Sequence, residues 1–322
     1  MAEARDSGAL DPAPGDNRRL IDPAAVSTGP QATIVGVSAA DTAIRQPSSQ
    51  AVRRIQPSTG LVPVDFRELW RYRELLFFFL WRDIRARYRQ TFLGPMWAIL
   101  RPFISMILFS AIFGGLAGIT SGSNIPYPLF VFAGIAGFNY FSSALTGGTG
   151  SILANSALMS KAYFPRLYAP ISAVVAPMVD FLISLLVVSV LFVYYQRAPS
   201  WHLVFLPAFL LLAMLSGLGI GLWLAGLAVR YRDIGFALPF ATQIAMYVTP
   251  VIYPVTLVPT RYRWLLSLNP MTAVVNGFRW CFFGTNAPSG WSLVGSVGFC
   301  TIVGITGIYW YRRTERTIMD MV

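Results

Sequence analysis

LVFLPAFLLLAMLSGLGIGLWLAGLAV, residues 203–229, contains no charged side chain and is long enough to cross a bilayer. A crossing helix needs about 20 apolar residues, because the hydrocarbon core is roughly 30 Å thick and a helix rises about 1.5 Å per residue. No water reaches that core, so each backbone N–H and C=O must be bonded within the segment, and the run must be helical. Working outward from it, five further stretches read the same way. The expected spans are 96–119, 127–150, 171–195, 203–229, 236–256 and 291–311. The expected fold is all-α: a polytopic membrane protein with six transmembrane helices, an N-terminal amphipathic interface helix and short re-entrant helices before the last span.

Hydrophobic residues make up 55% of the chain and charged residues 12%, against roughly a quarter charged in an ordinary soluble domain. The net charge is +11, and every base except Lys161 is an arginine. Most of these bases lie in short loops beside spans, so membrane topology accounts for them and no nucleic-acid partner is expected. An even number of spans puts both termini on one side. With the N-terminus inside, Arg67, Arg71, Arg73, Arg82, Arg85, Arg87, Arg89, Lys161, Arg166, Arg230, Arg232, Arg312, Arg313 and Arg316 are cytoplasmic. Only Arg197, Arg261, Arg263 and Arg279 then fall outside. That bias predicts two cytoplasmic termini.

Three regions differ in kind. Residues 1–60 hold many Pro, Ala and Ser, balanced charges and no aromatic residue. They cannot bury enough apolar surface to offset their ordering entropy, and they read as a disordered, dispensable cytoplasmic tail. No continuous apolar core lies near the start, so no cleavable signal peptide is expected.

Residues 61–95 form the second region. Within it DFRELWRYRELLFFFL (65–80) reads as a helix lying in the membrane surface, with Arg67, Arg71 and Glu74 on one side. Phe66, Leu69, Trp70, Leu76 and Phe77 fill the other. WRDIRARYRQTFLGP follows, placing Arg82, Arg85, Arg87 and Arg89 ahead of a Gly94-Pro95 break. Those arginines either anchor the chain beside anionic headgroups or offer a surface to a soluble partner. Residues 96–322 make up the six-helix transmembrane domain.

Residues 254–290 hold two apolar patches, Trp264–Leu268 and Met271–Gly284, separated by Asn269-Pro270. Neither reaches the roughly 20 residues of a crossing, so two short re-entrant or interfacial helices on the outer side are expected. Non-helical backbone at that depth survives only against protein or a water-filled cavity, which hints at the mouth of a pathway.

Little in the chain resembles a catalytic site. His202 is the only histidine, which excludes His-based metal clusters and Ser-His-Asp triads, and no metal site is expected. No Gly-Lys pair exists, so no P-loop can form; if transport is driven, the motor must be another polypeptide. Cys281 and Cys300 are too few for a disulfide framework, and neither is assigned a function. Asp180 is the only acid inside an expected span. A mid-bilayer charge costs about 2.5–3.5 kcal/mol, so Asp180 is either a proton or cation site or a carboxyl packed between helices near Arg101. The packed reading is preferred, because a proton-coupled carrier would show several such acids. Glycines at Gly134 and Gly137, Gly147 and Gly148, and Gly217, Gly219 and Gly221 permit close helix approach.

WRDIRARYRQTFLGPMWAILRP (81–102) resembles the opening of the permease subunits of polysaccharide-exporting ABC transporters, the type-2 exporters of O-antigen, capsule and teichoic-acid-like polymers. Further matching stretches follow in order: KAYFPRLYAPIS (161–172), VRYRDIGFALPFATQIAMYVTPVIYP (229–254), LNPMTAVVNGFRWCFFG (268–284) and YRRTERTIMD (311–320). The likeness covers roughly residues 62–320 and leaves out only the tail.

That resemblance implies a transport subunit rather than an enzyme, moving a lipid-linked polysaccharide across the bacterial inner membrane. Two permeases would form a homodimer around one conduit, with two separate ATP-binding cassette subunits that carry ATP and Mg; no cofactor is expected on this chain. The helix at 65–80 would lie at the cytoplasmic interface. Lys161, Phe164, Pro165 and Arg166, in a loop around 151–168, would form the main coupling element seated on the ATPase. Arg230, Arg232 and Asp233 would form a second contact. Phe109, Phe138 and Tyr140 within the spans are candidate lining for the substrate path. Trp264, Trp280, Phe282 and Phe283 at the outer mouth are candidates for guiding sugars, because the axial C–H faces of sugar rings stack on aromatic surfaces. Competing readings are a type-2 permease for a small drug or lipid, a membrane-embedded enzyme, and an ion-coupled lipid-glycan flippase that depends on Asp180.

Overall fold

The computed structural model describes residues 70–89, 94–159 and 164–318. The expected disordered tail at 1–60 lies outside them, as does Lys161. The described residues are helical, with no strand among them. In chain order the helices are α1 (Arg73–Tyr88), α2 (Met96–Phe109, continuing as a π-helical turn over Ser110–Leu116), α3 (Tyr127–Met159), α4 (Tyr168–Val175) and α5 (Met178–Tyr194). They continue with α6 (Leu206–Arg230), α7 (Asp233–Val248), α8 (Arg263–Leu268), α9 (Pro270–Phe283) and α10 (Gly290–Ile318).

Among the described residues, five segments are long and apolar enough to cross a membrane: Met96–Leu116, Tyr127–Met159, Tyr168–Tyr194, Trp201–Arg230 and Gly290–Thr314. The third is α4 and α5 run together through Pro177. The expected sixth span is shorter than its composition suggests. α7 has 16 residues, about 24 Å of helix against a core of roughly 30 Å. It stops at Thr249, whose backbone turns extended, just ahead of Pro250 and Pro254. The residue before a proline is pushed out of the helical region, so the hydropathy of 249–256 continues where the helix cannot. Val251 and Ile252 in that non-helical stretch are nevertheless buried.

The core is built around α3. In its most apolar window 78% of the residues are buried inside the chain, against 11% for the first span, so α3 is the central post and α2 an outer one. α3 packs on α6 and α4 most extensively, and also on α9, α2 and α5. Close approach follows from glycine: a Cβ on Gly221 would lie 3.2 Å from Cα of Gly148, so α6 and α3 meet backbone to backbone. Gly137 plays a second part, because a Cβ there would stand 2.5 Å from the Phe278 ring that α9 inserts against α3.

With 33 residues, α3 is about 50 Å long, roughly 20 Å more than the hydrocarbon core requires. It therefore absorbs the first half of the loop expected at 151–168 and leaves a short connection, 160–167, before α4.

Residues 65–69 of the expected interface helix lie outside the described residues; the described helix, Arg73–Tyr88, runs on past residue 80, so Arg82, Arg85 and Arg87 lie on it instead of following it. Its apolar residues point two ways. Phe79 is fully buried against the chain, while Trp70, Phe77, Phe78 and Trp81 in and just before the helix are exposed. A helix lying between protein and lipid needs an apolar face toward each, which a two-sided polar/apolar pattern does not describe.

Candidate functional site

Positions four apart on a helix share one face, and on α1 that face carries Phe79, Asp83 and Arg87. Each is engaged. The Phe79 ring lies 5.1 Å from that of Phe164, at the end of the 160–167 connection. The Ser172 hydroxyl on α4 donates to Asp83 at 2.8 Å, and Asp83 also pairs with Arg82 at 2.7 Å. The Arg82 guanidinium in turn sits 4.6 Å over the Phe79 ring. Arg87 and the Tyr88 hydroxyl both bond the carboxylate of Asp180 on α5. Burial, and secondarily the bond to Asp180, raises the Tyr88 hydroxyl above the ordinary tyrosine range.

The connection is thus fastened to α1 on one side. The Tyr311 hydroxyl on α10 donates to the Arg166 carbonyl at 3.1 Å and fastens it on the other.

Among the residues expected to meet a partner, Phe164 is buried inside the chain while Pro165 and Arg166 are half-buried. Arg230, Arg232 and Asp233 are exposed at the turn from α6 to α7. Asp233 stands in the first turn of α7, where an acid complements the helix dipole.

Asp180 is packed and paired, in the first turn of α5 just after Pro177. Its partner is Arg87 rather than Arg101. Arg101 lines the same cavity of about 390 Å³, but its guanidinium sits over its own Trp97 ring at 5.6 Å. Arg87 stands in the last turn of α1, a helix seated on α4, while Arg101 lies on α2, the least covered span.

The expected path residues separate by burial. Phe138, Tyr140 and Phe282 belong to the core, with the Tyr140 hydroxyl donating to the Val174 carbonyl at 3.2 Å; Tyr140 also lines the cavity. Phe109, Trp280 and Phe283 are partly buried at its edge, and Trp264 is exposed. The Trp280 ring packs at a tilt against His202, 4.4 Å away, and Phe205, 5.3 Å away.

The residue that sequence reasoning misplaced is Arg279. Charge counting puts it in an outer loop; the structure buries it on α9 at 4% exposure. Its Nη1 donates to the Pro250 carbonyl at 2.7 Å, its Nη2 to Val251 at 2.6 Å and its Nε to Phe130 at 3.4 Å. The Phe130 ring lies 3.5 Å from the guanidinium carbon. Arg279 thereby bonds buried carbonyls of the non-helical stretch that follows α7, and it holds that stretch against α3. The signal was present: a lone arginine inside the apolar Met271–Gly284 run, near a segment interrupted by Pro250 and Pro254. The short helices around it match expectation, with the Asn269 side chain capping α9 through Met271 N–H at 3.0 Å and Gly284 ending it in the left-handed region.

The sequence profile of the ABC-2 type transporter family matches residues 74–283, from the first turn of α1 to the last residue of α9. The chain belongs to that family. Among ABC-2 relatives, an O-antigen export system permease protein of Myxococcus xanthus is 30% identical over 254 residues, covering 77% of this chain and 96% of that protein. A Klebsiella pneumoniae protein of the same description is 27% identical over 203 residues, 62% of this chain and 77% of that protein. A polysialic acid transport protein of Escherichia coli is 27% identical over 243 residues, 74% of this chain and 92% of that protein. As an ABC-2 type chain it is a multi-pass membrane component of a transport system. The matched region takes in the α1 brace, the 160–167 connection and the Arg279 cap together.

Proposed function

We propose that this ABC-2 type chain is the transmembrane subunit of an ATP-driven exporter. It moves a lipid-linked polysaccharide, an O-antigen, capsule or related envelope glycan, from the inner to the outer side of a bacterial inner membrane. The observation that carries the reading is the match to an O-antigen export permease over 96% of that protein's length.

Two copies form a homodimer around one conduit, and each seats a separate ATP-binding cassette subunit that holds ATP and Mg. α7 together with the buried 249–254 stretch completes a sixth crossing and puts both termini in the cytoplasm. The overlong α3 carries the 160–167 connection beyond the membrane to meet the ATPase. Direct contact falls to Lys161, Pro165, Arg166 and the exposed Arg230, Arg232 and Asp233. Phe164, being buried on Phe79, passes the displacement to α1 instead of touching the partner. Phe164 and Arg166, braced from two sides, move together, as switching between two states requires. Phe109, Trp264, Trp280 and Phe283 retain an accessible face for sugars; Phe138, Tyr140 and Phe282 support them from the core.

The test is affinity purification of the detergent-solubilised chain from its native host. A stoichiometric soluble ATPase that is lost when Arg230 and Arg232 are changed to Glu supports the reading. A stable assembly without an ATPase overturns it and turns attention to ion-coupled flipping.

A further inference from the structure

Two polar residues stand within segments long and apolar enough to span a membrane. Arg101 is exposed although it lies within the first span, and no carboxylate pairs with it among the described residues. On α3, Asn139 is the one exposed residue between Leu129 and Leu145, and its carboxamide makes no hydrogen bond among the described residues. Both line the cavity of about 390 Å³ between α1, α2, α3 and α5.

The cavity is furnished for an anion. Ser105 follows Arg101 one turn along α2, and Ser142 and Ser143 follow Asn139 on α3. These groups offer hydrogen-bond donors around the guanidinium. Arg87 and Asp180 close one wall as a pair, so two arginines against one aspartate leave a net positive charge. Trp97, Pro102 and Phe181 supply apolar lining beside the polar groups. A cation with no protein counter-charge at this depth requires water or a ligand, and a planar guanidinium favours bidentate phosphate.

We propose that this cavity binds the phosphate-bearing headgroup of a membrane lipid, with Arg101 as its anchor and Asn139 as a second donor. The lipid tail leaves sideways past α2, the least covered span. The inference rests on the export reading only for the identity of that lipid: in an exporter of lipid-linked glycans it is the phosphate of the glycan's lipid carrier. Arg87 stands ready to exchange Asp180 for the incoming phosphate, which would loosen α1 from α5 when the site fills.

The test uses the full chain in nanodiscs of phosphatidylcholine doped with undecaprenyl diphosphate or with phosphatidylglycerol, and native mass spectrometry to read the lipid retained. Wild type is expected to retain undecaprenyl diphosphate about tenfold more than Arg101→Gln, the loss that follows one charge-assisted contact. Arg313→Gln, an exposed base outside the cavity, is expected to match wild type. Retention of phosphatidylglycerol with the same dependence on Arg101 also supports the site and assigns it to bulk anionic lipid. Equal retention by wild type and Arg101→Gln overturns it, since the lipid is then merely annular. Should Arg101→Gln fail to fold, Asn139→Leu removes the second donor from a different helix, and undiminished retention by that variant overturns the site equally. ATPase co-purification from the same preparations separates the two claims. An ATPase bound with no Arg101 effect removes the site and leaves the exporter, whereas an Arg101 effect with no ATPase removes the exporter and leaves the site.

Discussion

Replacing Arg279 by Met tests how the fold tolerates a helix that ends inside the membrane. Met has a similar reach and no donor, so the change removes the guanidinium without opening a large cavity. The Pro250 and Val251 carbonyls, bonded at 2.7 and 2.6 Å, lose their donors while remaining buried. Leaving a buried acceptor unsatisfied costs about 1–3 kcal/mol each, and the third bond at 3.4 Å adds little. Loss of the cation over Phe130 removes a further ~1–2 kcal/mol. Against these stands the relief of no longer burying a charge, which for buried ion pairs can reverse the balance.

Working from those terms, Arg279→Met should destabilise the chain by about 3 kcal/mol, or roughly 6–12 °C in melting temperature for a domain of this size. The assay is the monodisperse fraction on size-exclusion chromatography after heating in detergent, with maleimide labelling of Cys281, buried two residues along the same helix, as a local readout. A melting temperature at or above wild type, with Cys281 still protected, would refute the reasoning. It would mean that desolvation of the guanidinium outweighs the carbonyls it caps.

Asp180→Asn should loosen α1 from α5 by about 1 kcal/mol, since the pair with Arg87 is part-exposed; tryptic cleavage within Arg82–Arg89 should quicken while export falls only a few-fold. Complete loss of export in a folded Asp180→Asn protein would favour ion coupling instead. Phe79→Ala and Phe164→Ala should be non-additive, with a coupling of about 0.5–1.5 kcal/mol in a double-mutant thermal cycle; strict additivity would show that the rings do not act together. Gly137→Val should cost at least about 1–3 kcal/mol, because its Cβ meets the Phe278 ring at 2.5 Å. Expression and folding unchanged from wild type would show that α9 has another way to seat.

How far the sequence spoke for the fold depended on which signal each element carries. Apolar runs such as 203–229 announce themselves by length, and the Asn269-Pro270 break with Gly284 delimited the short helices before the last span to within a residue or two. Hydropathy failed at 236–256, because it sums side chains and does not register that Pro250 and Pro254 stop the helix. At α1 it found helix but not the run past residue 80 or the second apolar face that buries Phe79.

The site was legible as motifs but not as geometry. The order of the basic stretch, the Phe164-Pro165-Arg166 turn and the Arg230–Asp233 turn carries the proposal of where a partner is met. Nothing in that order says that Phe164 is buried on Phe79, that Asp180 chooses Arg87 over Arg101, or that Arg279 turns inward. Those are contacts between residues far apart in sequence, and only the packing of α1, α5 and α9 decides them.

The central claim is that this chain carries an envelope polysaccharide outward as part of an ATP-driven pair. It is tested most directly by depleting the chain in its native host and following that polymer on the surface and within the cell. The account predicts that surface polymer disappears while lipid-linked polymer accumulates at the inner face of the membrane, and that both effects reverse on re-expression. Surface polymer that persists at wild-type levels through depletion would contradict it.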